Sequence, residues 1–336
     1  MPMYMLEYAT WPGLIGALCD ELDGLQLPYT VEGNTATVDA YDPWRLSQKI
    51  RCAQNAFVRL SYDVPRPKAL LGQQYWDEIV TVARDIVSRG TYATLNLDAA
   101  GADSTVMQRI VQTLGTSLGL TVVTEEADLQ MRIRNRAGYW EVLFRITPRP
   151  LGTRAWRVCN YPGALNAVVA AAMVRFGGIY PEDRILNMAC GSGTILIERL
   201  ARGPAAQAIG CDTHADALAC ARQNVAAAGN TKQIALETWD ATQTPLPEAS
   251  IDLIYIDLPF GQLIGTHHTN LTLYPAMLYE ASRLLAPGGR MVVISHEIRL
   301  LRSVLEDIVT LQATDEVQVS VGGMSPLMVL IEPVRV

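Results

Sequence analysis

A chain of 336 residues, 49% hydrophobic and 18% charged, has room for two or three domains. Its net charge of −7 excludes indiscriminate nucleic-acid binding but leaves room for a local basic surface. The most apolar run, residues 164–174, is interrupted by Asn166 and is too short for a membrane span; the N-terminus carries no basic stretch followed by a long apolar core, so no signal peptide is expected.

Taken in order, residues 1–60 predict a strand at Met3–Tyr8, a helix over Pro12–Leu22, and strands Tyr29–Glu32 and Thr35–Asp39 with Gly33-Asn34 turning between them. Apolar residues at 46, 50, 53, 57 and 60 predict a helix over Pro43–Leu60. This βαββα order suits a small α+β, ferredoxin-like module. Val64-Pro65-Arg66-Pro67 reads as a stiff, extended linker. Residues 70–150 predict helices Gln73–Ser88 and Ser104–Leu118 and strands Thr91–Leu97, Leu120–Val123, Leu129–Arg134 and Tyr139–Ile146. From Met131 to Arg157 seven arginines face one acid, Glu141. Arg132, Arg134 and Arg136 alternate onto one strand face, a pattern that serves equally as a solvated outer face or as a phosphate-contacting patch.

From residue 151 the pattern becomes strand, helix, strand. Strands are expected at 184–189, 206–211, 233–237, 251–256 and 289–295, with helices at 194–202, 214–228, 272–286 and 298–308. This predicts an α/β, doubly wound, mostly parallel sheet. Two late strands, 312–320 and 327–333, have no helix between them and are expected as an antiparallel edge pair. Six cysteines show neither a CxxC pair nor Cys/His metal spacing, which implies reduced, buried thiols in a cytoplasmic protein and no metal. His214 opens a helix, and His267 and His268 lie in a loop with no third metal ligand in view.

The first strand of this half runs into Asn187-Met188-Ala189-Cys190-Gly191-Ser192-Gly193-Thr194. Glycines one residue apart permit positive φ and close approach by a ligand, and Thr194 is placed to cap the following helix. Leu196 stands where a dinucleotide fingerprint needs its third glycine, and no GK[ST] follows. Asp212, with Thr213 after it, ends the next strand, where a carboxylate can hold ribose hydroxyls. Trp239-Asp240-Ala241 ends the third and can bracket an adenine. A ribose and an adenine without a pyrophosphate loop point to S-adenosylmethionine. The fourth strand ends in Asp257-Leu258-Pro259-Phe260-Gly261, similar to the [D/N/S]-P-P-[Y/F] motif of amino-group methyltransferases. There Asp257 and the Leu258 carbonyl accept hydrogens of an exocyclic amine, Pro259 shapes the turn, and Phe260 stacks on a base flipped out of its own stack.

With these motifs in order, the chain resembles the THUMP-domain RNA methyltransferases, in particular those that form N2-methylguanosine in tRNA. Leu151-Gly-Thr-Arg-Ala-Trp-Arg157 resembles the family's LxxRGYR junction, and Tyr161-Pro-Gly-Ala-Leu165 its HPAPL segment. The resemblance implies a ferredoxin-like domain over 1–63, a THUMP-like RNA-binding domain over 64–150 and a Rossmann-fold methyltransferase domain over 151–336. It also implies cofactor contacts from Pro162, Ala164 and Leu165, and tRNA contacts from Arg132, Arg134, Arg136, Arg154 and Arg157. Leu258 replaces a common proline, Asn187 a common aspartate, and the loop after Phe260 lacks basic residues. Adenine-N6 methylation of DNA or RNA, protein amide methylation, and a cofactor-binding RNA-binding protein without transfer remain open alternatives. The oligomeric state also remains open, with a monomer favoured.

Overall fold

The structure, a computed structural model, describes residues 3–259 and 266–334. It divides into two compact units: unit 1 is Met1–Thr10 with Glu21–Gly152, and unit 2 is Trp11–Asp20 with Thr153–Val336. Among the described residues no helix is long and apolar enough to cross a membrane.

Unit 1 is built on one sheet. Strands β1 (Tyr4–Ala9), β2 (Tyr29–Glu32), β3 (Thr35–Ala40), β4 (Asn55–Tyr62), β5 (Thr94–Ala99), β6 (Thr121–Val122), β7 (Leu129–Arg136) and β8 (Tyr139–Arg145) lie in the order β2-β3-β1-β4-β8-β7-β5-β6. The strands before and after the Pro-rich segment meet where β4 pairs with β8, Phe57 opposite Arg145 and Tyr62 opposite Trp140. Helix α1 (Ile15–Gly24) precedes β2. The helix predicted over 43–60 is corrected: only α2 (Pro43–Ser47) is helical, capped by Asp42, whose Oδ1 accepts the Arg45 N–H at 3.0 Å. The rest of that span is β4, a central strand in which Ala56, Phe57 and Val58 are buried in succession. Burial on both faces removes the two-residue alternation that marks a strand. Amphipathic helices α3 (Gln73–Val87) and α4 (Thr105–Leu118) bury Ile79, Ala83 and Ile86, and Ile110 and Leu114. The Ser104 hydroxyl caps α4 at its start, and Gly119 at φ +69° ends it.

Unit 2 holds a seven-stranded sheet ordered β11-β10-β9-β12-β13-β15-β14. Strands β9 (Arg184–Met188), β10 (Gln207–Cys211), β11 (Ala235–Glu237), β12 (Ile251–Asp257) and β13 (Leu285–Ser295) are parallel; β14 (Leu311–Gln318) and β15 (Leu327–Pro333) form the antiparallel edge. Helices α5 (Ala167–Phe176), α6 (Thr194–Leu200), α7 (Ala215–Ala227), α8 (His267–Leu284) and α9 (Ile298–Asp307) complete it. Helix α5 has no counterpart among the predicted elements, because residues 167–174 are all buried and a helix apolar on every side has no amphipathic period. Residues 11–20 belong to this unit: Leu14 is buried in the same apolar cluster as Val319 and Met328. Gly13, at φ +91°, lies where a Cβ would fall 2.0 Å from the Gln318 carbonyl oxygen, and Ser320 N–H donates to the Pro12 carbonyl at 3.0 Å.

Strand order reverses between β9 and β12. At such a switch point the connections leave in opposite directions, opening a crevice at the carboxyl ends of the strands. Register sets Asn187 beside Tyr255 and Met188 beside Ile256, so the turn after β9 and the motif after β12 emerge side by side.

Candidate active site

The turn after β9 is a strained, alternating backbone. Ala189, Gly191 and Gly193 have φ of +49°, +53° and +78°, a left-handed conformation that costs a side-chain-bearing residue about 1–3 kcal/mol when the surroundings hold it there. Cys190 N–H donates to the Cys211 carbonyl at 2.8 Å, and Gly193 N–H to the Cys190 carbonyl at 2.9 Å. A Cβ on Gly191 would meet nothing within 4 Å, whereas one on Gly210 would lie 2.9 Å from the Cys190 sulfur. The open side of the turn is thus at Gly191, and the packed side is filled by Cys190, whose thiol pKa burial pushes well up. Thr194 does not cap α6; the N-cap is Gly193, with no side-chain bond. The Thr194 hydroxyl instead lies 3.1 Å from that of Ser192 and accepts from Arg157 at 3.0 Å. Asn187 is 1% exposed; its amide N–H₂ donates to the Tyr255 carbonyl at 3.1 Å, and among the described residues its Oδ1 has no partner.

Asp212 links the second strand to the turn. Its Oδ2 accepts the Gly191 N–H at 2.9 Å and its Oδ1 the His214 N–H at 2.9 Å. Thr213 is exposed beside it. Asp240 Oδ1 accepts the N–H and hydroxyl of Thr242 at 2.8 and 2.7 Å, an Asx turn at the end of β11. Ala189, Trp239, Ala241 and Leu258 all belong to one apolar cluster with Met188 and Cys211.

The segment before α5 is fastened to the turn by two residues that sequence reasoning did not identify in this role. Arg157 donates from Nη2 to the Leu165 carbonyl at 2.7 Å and to the Thr194 hydroxyl, and burial pulls its pKa down. Asn224 on α7, fully buried, accepts the Cys159 N–H at 2.9 Å and donates to the carbonyls of Cys159 and Ser192 at 3.1 and 3.2 Å. Pro162 is exposed; Ala164 N–H donates to the Tyr161 carbonyl at 3.0 Å. A Cys159–Cys220 disulfide, spanning 61 residues, also ties this segment to α7. The expectation of six reduced thiols is corrected: the pair is created by tertiary approach and leaves no short spacing to read.

The five arginines of the expected RNA contacts have partners within the chain. Arg154 Nε bonds Glu198 at 2.8 Å, with the two side chains 8% and 0% exposed; Arg157 is taken up as described. In unit 1, Arg132 Nε bonds Asp98 at 2.8 Å. Arg134 bonds both Glu141, at 2.6 Å, and the fully buried Glu7, at 2.5 Å, and Arg136 bonds Glu32 at 2.6 Å. The five do not form a free cationic stripe: four meet carboxylates, and the fifth is committed inside unit 2.

After β12, burial raises the Asp257 pKa to about 7. Leu258 is buried and its N–H donates to the Ile294 carbonyl at 3.0 Å, a bond that a proline at this position lacks the hydrogen to make. Leu258→Pro should therefore lower stability by about 1–3 kcal/mol, measured by urea denaturation. The Pro259 carbonyl accepts from Asn270 Nδ2 at 3.0 Å and the Tyr274 hydroxyl at 2.7 Å. Phe260 and Gly261 lie outside the described residues. His267 opens α8 and its Nδ1 meets the Glu297 carboxylate.

The residues fit S-adenosylmethionine on the structure's own terms. A left-handed turn open at Gly191 admits a ligand against backbone, Asp212 is aimed beside it, and an apolar wall of Trp239 and Ala241 offers a flat contact, with no loop for a pyrophosphate.

A family model described as the RMKL-like methyltransferase domain, UPF0020, matches residues 154–326, more than half of the 336 residues. The chain is 31% identical over 176 residues to the human tRNA (guanine(6)-N(2))-methyltransferase THUMP3, covering 48% of this chain and 35% of that protein. It is 28% identical over 228 residues to the tRNA (guanine(6)-N2)-methyltransferase of Thermus thermophilus, covering 68% of this chain and 67% of that one. It spans about a third of the length of the mammalian relatives it matches first. In fold it is similar to the crystal structure of TrmN from Thermus thermophilus, with a TM-score of 0.78, 23% identity, and 99% and 100% of the two chains covered.

Proposed function

We propose that this chain, which belongs to the UPF0020 family of RMKL-like methyltransferase domains, methylates the exocyclic N2 of a guanine in tRNA. The observation that carries the reading is the side-by-side emergence of two elements at the switch point: the open Gly191 turn, and the Asp257 carboxyl group, whose pKa burial raises, followed by Leu258. The substrate class is supported by the relatives, which are named for guanine-N2 methylation of tRNA.

S-adenosylmethionine, held by the 189–194 turn, Asp212 and the Trp239–Ala241 wall, supplies an electrophilic methyl group. The protein does the rest by placement. An amine conjugated to a purine is a weak nucleophile because its lone pair is delocalised into the ring. Asp257 accepts one amino hydrogen and the Leu258 carbonyl the other, which localises electron density on nitrogen and fixes its direction of approach. The methylated nitrogen is a strong acid, and the Asp257 carboxylate takes its proton. Phe260 is assigned to the base's face, and Pro162, Ala164 and Leu165 to the cofactor's methionine end. Unit 1, with its THUMP-like portion, is assigned to holding the tRNA by shape. The protein is assigned to the cytoplasm, with no metal.

Incubation with S-adenosylmethionine and undermodified tRNA, followed by mass spectrometry of the nucleosides, should yield N2-methylguanosine. Appearance of N6-methyladenosine instead, or transfer only to DNA or protein, overturns the substrate assignment.

A further inference from the structure

We propose that Tyr274 and Asn270 are positioning residues of the methyl-accepting site: by holding the Pro259 carbonyl from two sides, they aim the Leu258 carbonyl at the substrate amine. The inference rests on the reading given under the previous heading and assigns it two residues outside the Asp257–Phe260 motif.

The geometry is that of a peptide gripped at both ends. The 257–258 peptide is anchored where Leu258 N–H meets the Ile294 carbonyl at 3.0 Å. The Pro259 carbonyl is anchored where it accepts from Asn270 and Tyr274. Between them lies the 258–259 peptide, which has no N–H because residue 259 is proline, and whose ring limits φ. Its one polar group is the Leu258 carbonyl. With the Leu258 N–H on one side and the Pro259 carbonyl on the other both held, the direction of that carbonyl is fixed too, although residue 258 is not a proline.

The hydrogen bonds behind Tyr274 have a single sense. The Pro259 carbonyl can only accept, so the Tyr274 hydroxyl donates to it at 2.7 Å. The Ser295 hydroxyl, 2.9 Å away, must then donate to the tyrosine oxygen, and it accepts in turn from the Glu297 N–H at 3.0 Å. Burial raises the Tyr274 pKa to about 12, so the hydroxyl keeps its proton at working pH. Asn270 is equally committed: one amide hydrogen goes to Pro259 and the other to the Glu297 carboxylate, which also meets His267. Tyr274, Asn270 and Ser295 are each 0% exposed. They lie four residues apart on one face of α8 and at the end of β13, next to the strand that carries Asp257.

The test is steady-state kinetics of full-length Tyr274→Phe, Asn270→Ala and Ser295→Ala with tRNA and S-adenosylmethionine. It is accompanied by the affinity for S-adenosylhomocysteine from calorimetry and the melting temperature. A misdirected acceptor costs the transition state and not ground-state binding, so kcat should fall about tenfold to a hundredfold in the first two variants. KM and S-adenosylhomocysteine affinity should stay within about twofold, and the Ser295 variant should show a smaller loss in the same direction. Because both residues act on one carbonyl, the Tyr274→Phe/Asn270→Ala double variant should lose less than the product of the single losses. Wild-type kcat in both single variants overturns the proposal, as does a loss shared equally by kcat, cofactor affinity and melting temperature, which is what a merely structural role gives. If the wild-type protein methylates another nucleoside, only the substrate assignment fails and the kcat–KM separation still decides the role of Tyr274 and Asn270. If it transfers no methyl group at all, the functional reading and this inference fall together.

Discussion

Asp257→Asn should reduce methyl transfer by about a hundredfold to a thousandfold, the range lost when one preorganised polar group is removed from a reacting centre, while binding of S-adenosylhomocysteine stays at the wild-type level. The asparagine keeps the shape of the side chain, but it carries no negative charge and cannot take the proton of the methylated amine. The same residue sets a pH dependence. Burial holds its pKa at about 7, so the wild-type rate should climb as pH rises through that value and level off above it; the rate of the variant should be flat there. Stability runs the opposite way. A carboxyl group whose folded pKa lies above its unfolded one favours folding through its proton, and that contribution fades as pH rises from the unfolded value toward 7. The melting temperature of Asp257→Asn relative to wild type should therefore increase between pH 5 and pH 8. A rate that is flat in the wild type across that range, or a variant that loses stability as pH rises, removes Asp257 from this role.

Glu198→Ala should be strongly destabilising to unit 2. Its carboxylate is 0% exposed and takes both Nε and Nη2 of Arg154, at 2.8 and 3.5 Å. Taking away one member of a buried pair strands the other charge in an apolar setting, at a cost of about 3–5 kcal/mol. In a unit of this size that is a fall in melting temperature of roughly 10 °C. Arg154→Ala should do the same, and Arg154→Met with Glu198→Leu should recover much of the loss, since neither charge is then stranded. An arginine whose role was to touch RNA would behave otherwise: its removal would weaken tRNA binding and leave the melting temperature alone.

What could be read from the residues was local chemistry. Gly191 and Gly193, Asp212, Trp239-Asp240 and Asp257 each stand at a strand end, and strands alternating with amphipathic helices announce themselves by period; the sheet of unit 2 follows from them. Burial on all sides erased that signal at β4 and α5, where a central strand passed for a helix and a helix passed for an apolar run. Contacts between distant residues were the other blind spot. Nothing in the composition around Arg154 and Arg157 separates a guanidinium that meets Glu198 or Thr194 from one that meets a phosphate. Cys159 and Cys220 carry no short spacing. Asn224, Asn270 and Ser295 are ordinary polar residues until the fold buries them against backbone carbonyls and N–H groups.

Residues 11–20 have a consequence for how the molecule is made. Leu14 finishes an apolar cluster whose other members include Val319 and Met328, and Ser320 bonds back to Pro12, so residues 11–20 wait for a segment translated much later. Contacts of such sequence separation are slow to close. Until they do, a nascent chain can assemble much of unit 1 while the methyltransferase unit still lacks a piece of its own interior. A gene fragment beginning at residue 153 inherits the same gap: neither unit is a continuous stretch of sequence, and grafting the catalytic half onto another protein means carrying along residues 11–20 as well.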